Sequence, residues 1–341
     1  MSVEFTNPRA QYQFVGRSCS VTGVGSYVPE RVVTNADLEK FVDTSDEWIT
    51  TRTGIKERHI AAADQFTSDL AVKAAERAMK MAGVTAGQLQ LIIVATITPD
   101  MPFPSTACLV QQKLGARNVP AFDLEAACSG FIYGLEIGQQ FIMSRTYDTV
   151  LVIGAEKISS IVDWTDRNTC VLFGDGAGAA ILQHQENSHG LLTVVLGADG
   201  EKADLLSMPG GGSRCPATTD SVAAKLHFLR MTGKETFKNA VQAMCSAANE
   251  ALRRCAIDIS KIKCVIPHQA NRRIIDAVSD RLGATSEQVF INLDKYGNTS
   301  AASVAIALDE AVASGRIQRG DLILLVVFGA GLTWGASVIQ W

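Results

Sequence analysis

Three polar residues sit where their side-chain chemistry could be put to use. Cys128 lies at the start of a helix in FDLEAACSGFIYGL, among the small neighbours Ala126, Ala127, Ser129 and Gly130. A helix N-terminus stabilises an anion and so lowers a thiol pKa, while small neighbours let a substrate carbonyl approach. Cys128 is therefore a candidate nucleophile with an acidic thiol. An inert buried thiol is the ordinary state of a cysteine, and Cys19, Cys108, Cys170, Cys215, Cys245, Cys255 and Cys264 are read that way. His268, in IPHQANRR, closes an apolar strand ahead of a helix whose buried stripe is Ile274, Ile275, Val278 and Leu282. A lone histidine is usually structural, but Gln269 and Asn271 add polar groups at a strand end, where α/β sheets place their ligands. Asn298, in DKYGNTSAAS, would by default cap a helix or form a turn beside Gly297.

The elements that position these residues occur twice. KLGARNVPAFDLEAACSG from Lys113 and RLGATSEQVFINLDKYGNTS from Arg281 share an LGA followed by a short apolar strand. Each copy follows a strand and a helix, and each precedes a helix and two strands, giving a repeated β-α-β-α-β-β order. Upstream, TSDLAVKAAERAMKMAG and the helix bearing Phe237, Val241, Met244, Leu252 and Cys255 have apolar positions every three or four residues. Gly83 stops the first of these helices. Opening strands near Val21 to Tyr27 and Leu191 to Leu196 complete the pattern. The fold class is α/β: two duplicated βαβαβαββ halves, residues 18–185 and 186–341, stacked as a layered sandwich. Residues 1–17 form an N-terminal extension with no assigned role.

A pseudo-twofold between such halves brings equivalent positions together near its axis. Cys128 and Asn298 are near-equivalent, and the counterpart of His268 falls near Asp100. The first half carries two extra segments, Asn35 to Phe66 and Lys157 to Thr169, whose polar, Trp- and Arg-containing composition suits loops at a surface site more than core. The glycine-rich FGDGAGAA and FGAGLTWG match a dinucleotide fingerprint poorly, because both run into terminal strands and do not open a helix. Close backbone approach is the better reading.

Composition narrows the classes. The 341 residues allow two domains or one large duplicated one. Charged residues make up 19%, below the roughly 25% typical of soluble domains, so a long solvating tail is not expected. A net charge of −4 argues against nucleic-acid binding, and no apolar run approaches the ~18 residues of a membrane span. No export signal is recognisable at the N-terminus, so the eight cysteines are expected reduced, in the cytoplasm. Neither cysteine nor histidine spacing resembles a zinc site.

In combination, EAACSGF, PHQANRRI, GNTSAAS, DEWITTRTGIKER, TDRNTCVLFGDGAGA and FGAGLTWG resemble β-ketoacyl-acyl carrier protein synthase III, the initiating condensing enzyme of dissociated fatty acid synthesis. The resemblance covers the chain from Ser18 to Trp341 and agrees with the thiolase-like duplication. It implies that Cys128 accepts the acyl group, that His268 and Asn298 stabilise the enolate of malonyl-acyl carrier protein, and that the backbone N–H groups of Cys128 and Ala330 form the oxyanion hole. It further implies that Trp48 and Arg167 sandwich the adenine of coenzyme A, with Thr44, Arg52 and Asn271 nearby. Phe103 would cap the acyl pocket across a homodimer, and Arg272, Arg273 and Arg281 would dock the acidic carrier protein. Lys234 stands where members often have asparagine and is left unassigned. Acyl-CoA and malonyl-acyl carrier protein are the implied substrates, with no cofactor and no metal.

Other readings are separable by simple observations. A condensing enzyme making alkylquinolones, olefins or polyketide starters would share the three residues and differ in primer; the PGGGSRCPA segment from Pro209 favours the fatty-acid enzyme. A cysteine thioester hydrolase would release coenzyme A continuously from acyl-CoA alone, and a binding module would give no burst.

Overall fold

The computed structural model describes residues 17–186 and 190–341. The N-terminal extension, apart from Arg17, lies outside the described residues.

The apolar runs of the first half become strands β1 (Cys19–Tyr27), β2 (Leu91–Ala95), β3 (Ala121–Leu124), β4 (Thr149–Glu156) and β5 (Gly176–His184). They form one sheet in the order β1-β5-β4-β2-β3. The second half supplies β6 (Gly190–Ala198), β7 (Cys264–Pro267), β8 (Leu322–Gly329) and β9 (Thr333–Gln340), ordered β6-β9-β8-β7. The two orders superimpose, with β7 and β8 parallel like β2 and β4. Where the repeat calls for a counterpart of β3, the chain makes only an isolated bridge, Val265 to Val289. There ATSEQVFIN crosses the sheet edge briefly and turns into the short helix Leu293–Tyr296, so the repeated order is one strand short in the second half.

Which helices lie between the sheets follows from their composition. Helices α1 (Thr67–Ala82) and α4 (Gly233–Cys255) each carry one buried stripe and a polar face, so they cover the outer faces together with α2 (Thr106–Leu114) and α5 (Arg272–Leu282). By contrast, α3 (Gly130–Met143) and α6 (Ala302–Ala313) are apolar nearly all round, and a helix of that kind must be buried. They form the middle layer. Phe131, Ile132 and Leu135 of α3 and Val304 and Leu308 of α6 share one apolar cluster with Ile93 and Val152 of the first sheet and Ile266 and Leu325 of the second. Such close layers need glycine: a Cβ on Gly178 would stand 2.4 Å from the Cβ of Ala305.

The two extra segments meet the expectation only in part. Val33, Leu38, Ile49, Ile55, Ile60, Ile158 and Val162 form an apolar cluster of their own, and Arg58 is fully buried within the region. Its guanidinium donates to Asn35 Oδ1 (2.8 Å), Val33 O (3.2 Å) and Val171 O (2.8 Å). These neutral acceptors tie the segment to the strand start beside Asn298, so part of it is packed support, while Trp48 and Arg52 of the first segment and Asp166 and Asn168 of the second line a surface cavity as their composition suggests.

Candidate active site

A cavity of about 620 Å³ opens where the halves meet. Cys128, His268 and Asn298 all line it, with Trp48, Arg52, Asn271 and Arg273 among the others. Cys128 sits in the single turn Ala127–Ser129 that leads from β3 into α3. Ala127 has a left-handed φ of 46°, an unfavourable geometry for a residue with a Cβ and one that persists only where its surroundings enforce it. Gly329, at the end of β8, supplies part of that enforcement, since a Cβ there would lie 2.8 Å from the Cys128 nitrogen. Ala330 is not among the lining residues; its carbonyl accepts from Thr333 Oγ1 at 2.9 Å.

The thiol is not acidic at rest. Cys128 is 5% exposed, and burial pushes its pKa up to about 12, aided by the nearby Glu156 and Glu125, while the Ser300 hydroxyl beside it works the other way. This overturns the low pKa expected from the helix start. A helix terminus contributes at most ~2 kcal/mol to an anion, whereas full burial can move a pKa by up to 3–5 units, so desolvation wins.

His268 follows β7 directly, with its amide bonded to Val326 O at 2.8 Å. Its Nδ1 lies 2.7 Å from Ser303 Oγ on α6, which leaves Nε2 for the cavity. Burial lowers its pKa to about 4, so the ring is neutral at physiological pH and can act as a hydrogen-bond partner without adding a cation. Asn298 is fixed by its backbone, bonded to Leu172 O at 2.8 Å. Its Oδ1 accepts from Ser300 N at 2.8 Å, so its amide N–H groups remain available as donors. The first-half position expected opposite His268 is not at the site: Asp100 accepts from Ser68 N and Oγ at 2.8 and 2.6 Å, at the start of α1.

Toward the mouth, Trp48 carries two guanidinium groups, with Arg52 Cζ 4.7 Å and Arg167 Cζ 5.1 Å from its ring centroid. A base stacked between Trp48 and Arg167 needs about 7 Å, twice an ordinary carbon contact, so that slot is closed. Arg167 also donates to Asp43 O at 2.8 Å and must swing outward to admit a ring. Neither Arg167 nor Thr44 lines the cavity, and the buried Thr44 Oγ1 has no hydrogen-bond partner. Asn271 caps α5 through Arg273 N (2.9 Å) and donates to Arg52 O (3.2 Å), joining the two sides of the mouth. Phe103 is 84% exposed and does not touch this cavity. Arg273 lines the cavity, while Arg272 is paired with Asp276 at 2.7 Å and Arg281 sits in the last turn of α5, about 12 Å further along.

The structure adds residues that sequence reasoning missed. Lys234, Phe237 and Met244 of α4 line the cavity. Glu156 and Ser300 stand behind Cys128, hydrogen-bonded to each other at 3.1 Å. One signal could have pointed to Glu156: it is a charged residue ending the otherwise apolar strand TVLVIGAE. Among the described residues, no group of three or more His, Cys, Asp and Glu could hold a metal.

Known proteins resemble the chain over almost its whole length. Two family models match, 3-oxoacyl-[acyl-carrier-protein] synthase III over residues 122–200 and its C-terminal portion over residues 252–341. The chain is similar to the β-ketoacyl-[acyl-carrier-protein] synthase III of Caldanaerobacter subterraneus subsp. tengcongensis, 59% identical over 95% of this chain and 98% of the relative. The crystal structure of 3-oxoacyl-[acyl-carrier-protein] synthase III from Aquifex aeolicus VF5 matches with a TM-score of 0.88 at 49% identity, over 95% of this chain and all of that one. A priming β-ketosynthase from the R1128 polyketide pathway matches at a TM-score of 0.88 and 37% identity, over 95% of this chain and 97% of that one.

Proposed function

Because the chain belongs to the β-ketoacyl-[acyl-carrier-protein] synthase III family, we propose that Cys128, His268 and Asn298 divide between them the two half-reactions of its condensation. The protein is an acyltransferase that performs the initiating condensation of fatty acid synthesis. Its substrates are an acyl-CoA and malonyl-acyl carrier protein.

In our reading, Cys128 attacks the acyl-CoA thioester, coenzyme A leaves, and an acyl-cysteine remains, so that one hard step becomes two easier ones. We assign the thioester oxygen to the backbone N–H of Cys128, which lines the cavity, and to that of Ala330, the residue after the lining Gly329. Malonyl-carrier protein then loses carbon dioxide, and its carbanion attacks the acyl-cysteine to give a 3-oxoacyl-carrier protein. His268 Nε2 and Asn298 Nδ2 face the malonyl thioester oxygen and stabilise the enolate. The single observation that carries this reading is that the three residues, drawn from both halves, line one cavity. Neither half-reaction calls for a cofactor or a metal. Since both thioesters must reach the cavity from one solution, we place the enzyme in the cytoplasm. We also read it as a homodimer, a reading supported by the exposure of Phe103, Met101 and Phe66, with Phe103 capping the partner's acyl pocket.

The likeness to a priming polyketide β-ketosynthase supports a second reading, in which the enzyme accepts another primer and serves secondary metabolism. One experiment tests both. Single turnovers with acetyl-, isobutyryl- and octanoyl-CoA are followed by intact mass, then chased with malonyl-carrier protein. The fatty-acid reading expects one acyl adduct from acetyl- or isobutyryl-CoA, discharged by the chase. Adduct formation from octanoyl-CoA alone would favour the second reading, and steady coenzyme A release without an adduct would overturn both.

Carrier-protein docking is assigned to Arg273 first. Arg273 and Arg281 lie within about 80° of one another at roughly 100° per residue, and both are exposed. Arg272 is the weaker member because Asp276 already pairs with it. Rim charges act mainly on association rate and salt dependence. Reversing Arg273 to Glu should raise the KM for malonyl-carrier protein and flatten its dependence on ionic strength, with acylation by acetyl-CoA much less affected. Equal losses with both substrates, or none, would remove the docking role.

A further inference from the structure

Glu156 is fully buried at the end of β4, behind the nucleophile. Its carboxylate accepts from Thr98 Oγ1 (2.6 Å), Thr96 Oγ1 (3.1 Å), Ile97 N (3.2 Å) and Ser300 Oγ (3.1 Å). None of these partners is a cation. A carboxylate buried without one is costly, and holding a loop would not by itself demand an ionisable group. The fourth partner gives the arrangement its chemical sense. Ser300 comes from the opposite half of the duplication, and its hydroxyl lies near enough to the Cys128 thiol to offset part of the rise in its pKa. Its φ of 52° is left-handed and its amide is tied to Asn298 Oδ1 at 2.8 Å, so the backbone that carries the hydroxyl is fixed, and the hydroxyl itself reaches Glu156.

We propose that Glu156, acting through the Ser300 hydroxyl, takes the Cys128 proton at acylation, stores it while the acyl-enzyme waits, and returns it after condensation. The proposal rests on the acyl-cysteine reading above. At acylation the S–H bond breaks as the bond from sulfur to the acyl carbon forms. The thiol proton passes to Ser300 Oγ, and the serine's own proton passes to Glu156 Oε1. Coenzyme A leaves as a thiolate and takes a proton from solvent. At condensation, decarboxylation supplies the carbanion, and collapse of the adduct expels the Cys128 thiolate. The same route run backwards restores the thiol and the carboxylate. The balance closes on one proton from solvent per turnover, and the pocket behind Cys128 never holds two anions. Burial raises the Glu156 pKa to about 7, so both protonation states are accessible at working pH.

The ionisable groups around Glu156 are Cys128, reached through Ser300, Asp175 before the paired strand β5, and its chain neighbour Lys157. Asp175 is engaged with Ser159 and Ala61 N, and the Lys157 ammonium with Ala62 O and Gln65 O.

The test measures the rate at which iodoacetamide alkylates Cys128, by intact mass across the neutral pH range, beside acylation by acetyl-CoA. In the unaltered enzyme the alkylation rate should climb through neutrality as Glu156 ionises. Glu156→Gln should lower alkylation and acylation at neutral pH by about 10²-fold and move the climb to alkaline pH, and Glu156→Asp should recover part of the loss. Ser300→Gly accepts the left-handed φ while removing the hydroxyl, and should show the same loss. It decides the matter if Glu156→Gln does not fold, as judged by thermal melting. A folded variant of either kind that alkylates at the native rate and pH profile would overturn the relay. Because iodoacetamide needs no coenzyme A site, normal alkylation without acetyl transfer in the native enzyme would instead overturn the acyl-transfer reading.

Discussion

Cys128→Ala should abolish both the acyl adduct and the condensation, the largest effect expected of any single change in this protein. The thiol pKa of about 12 means that on the order of one resting thiol in 10⁵ is ionised at neutral pH. On our reading the proposed Glu156 relay offsets this, and among the described residues no other cysteine lines the cavity. Cys19, Cys170, Cys245, Cys255 and Cys264 are also pushed upward by burial, and the exposed Cys108 and half-buried Cys215 lie outside the cavity. Intact mass after acetyl-CoA treatment should show one adduct in the native enzyme and none in the variant. An unchanged adduct in Cys128→Ala would transfer the nucleophile's role elsewhere.

His268→Ala and Asn298→Ala should separate the half-reactions. Each removes one donor aimed at a developing enolate oxygen, a change worth on the order of 10²- to 10³-fold in rate. Acetylation of Cys128 should survive in both, and condensation with malonyl-carrier protein should fall. The pH dependence follows from the sign of the His268 shift. Burial holds its pKa at about 4, below the ordinary 6.5, so the ring stays neutral as pH falls from 8 to 6. Condensation by an acyl-enzyme prepared beforehand should accordingly hold level as pH falls from about 6.5 to 5, where Glu156 is already protonated and an ordinary imidazole would become charged. A break there, or acylation falling as far as condensation in both variants, would refute the division of labour.

The local record in the chain was enough for a large part of this. Hydrophobic periodicity and the LGA repeat determined the duplicated α/β sandwich, because strand and helix periods are properties of neighbouring residues. The order of the layers was not read from the chain: that α3 and α6, nearly all apolar, lie in the middle and the one-striped α1 and α4 outside emerged with the structure. Cys128, His268 and Asn298 could be nominated because each sits in a local polar motif at an element's end.

What only the tertiary structure decided depends on groups distant in sequence. The basicity of the Cys128 thiol reflects burial between the two halves, which outweighs the helix start next to it. The neutrality of His268 and its bond to Ser303 arise from α6 packing beneath β7. The closed slot at Trp48 requires Arg167, more than a hundred residues away, to fold back over the ring. Glu156 meets Ser300 only because a glycine, Gly154, lets the Ala301 backbone approach β4, where a Cβ would stand 2.4 Å from the Ala301 carbonyl oxygen. Motif and periodicity are written in adjacent residues, whereas desolvation and through-space electrostatics are set by whatever the fold brings near, and the working state of each group in this site is of the second kind.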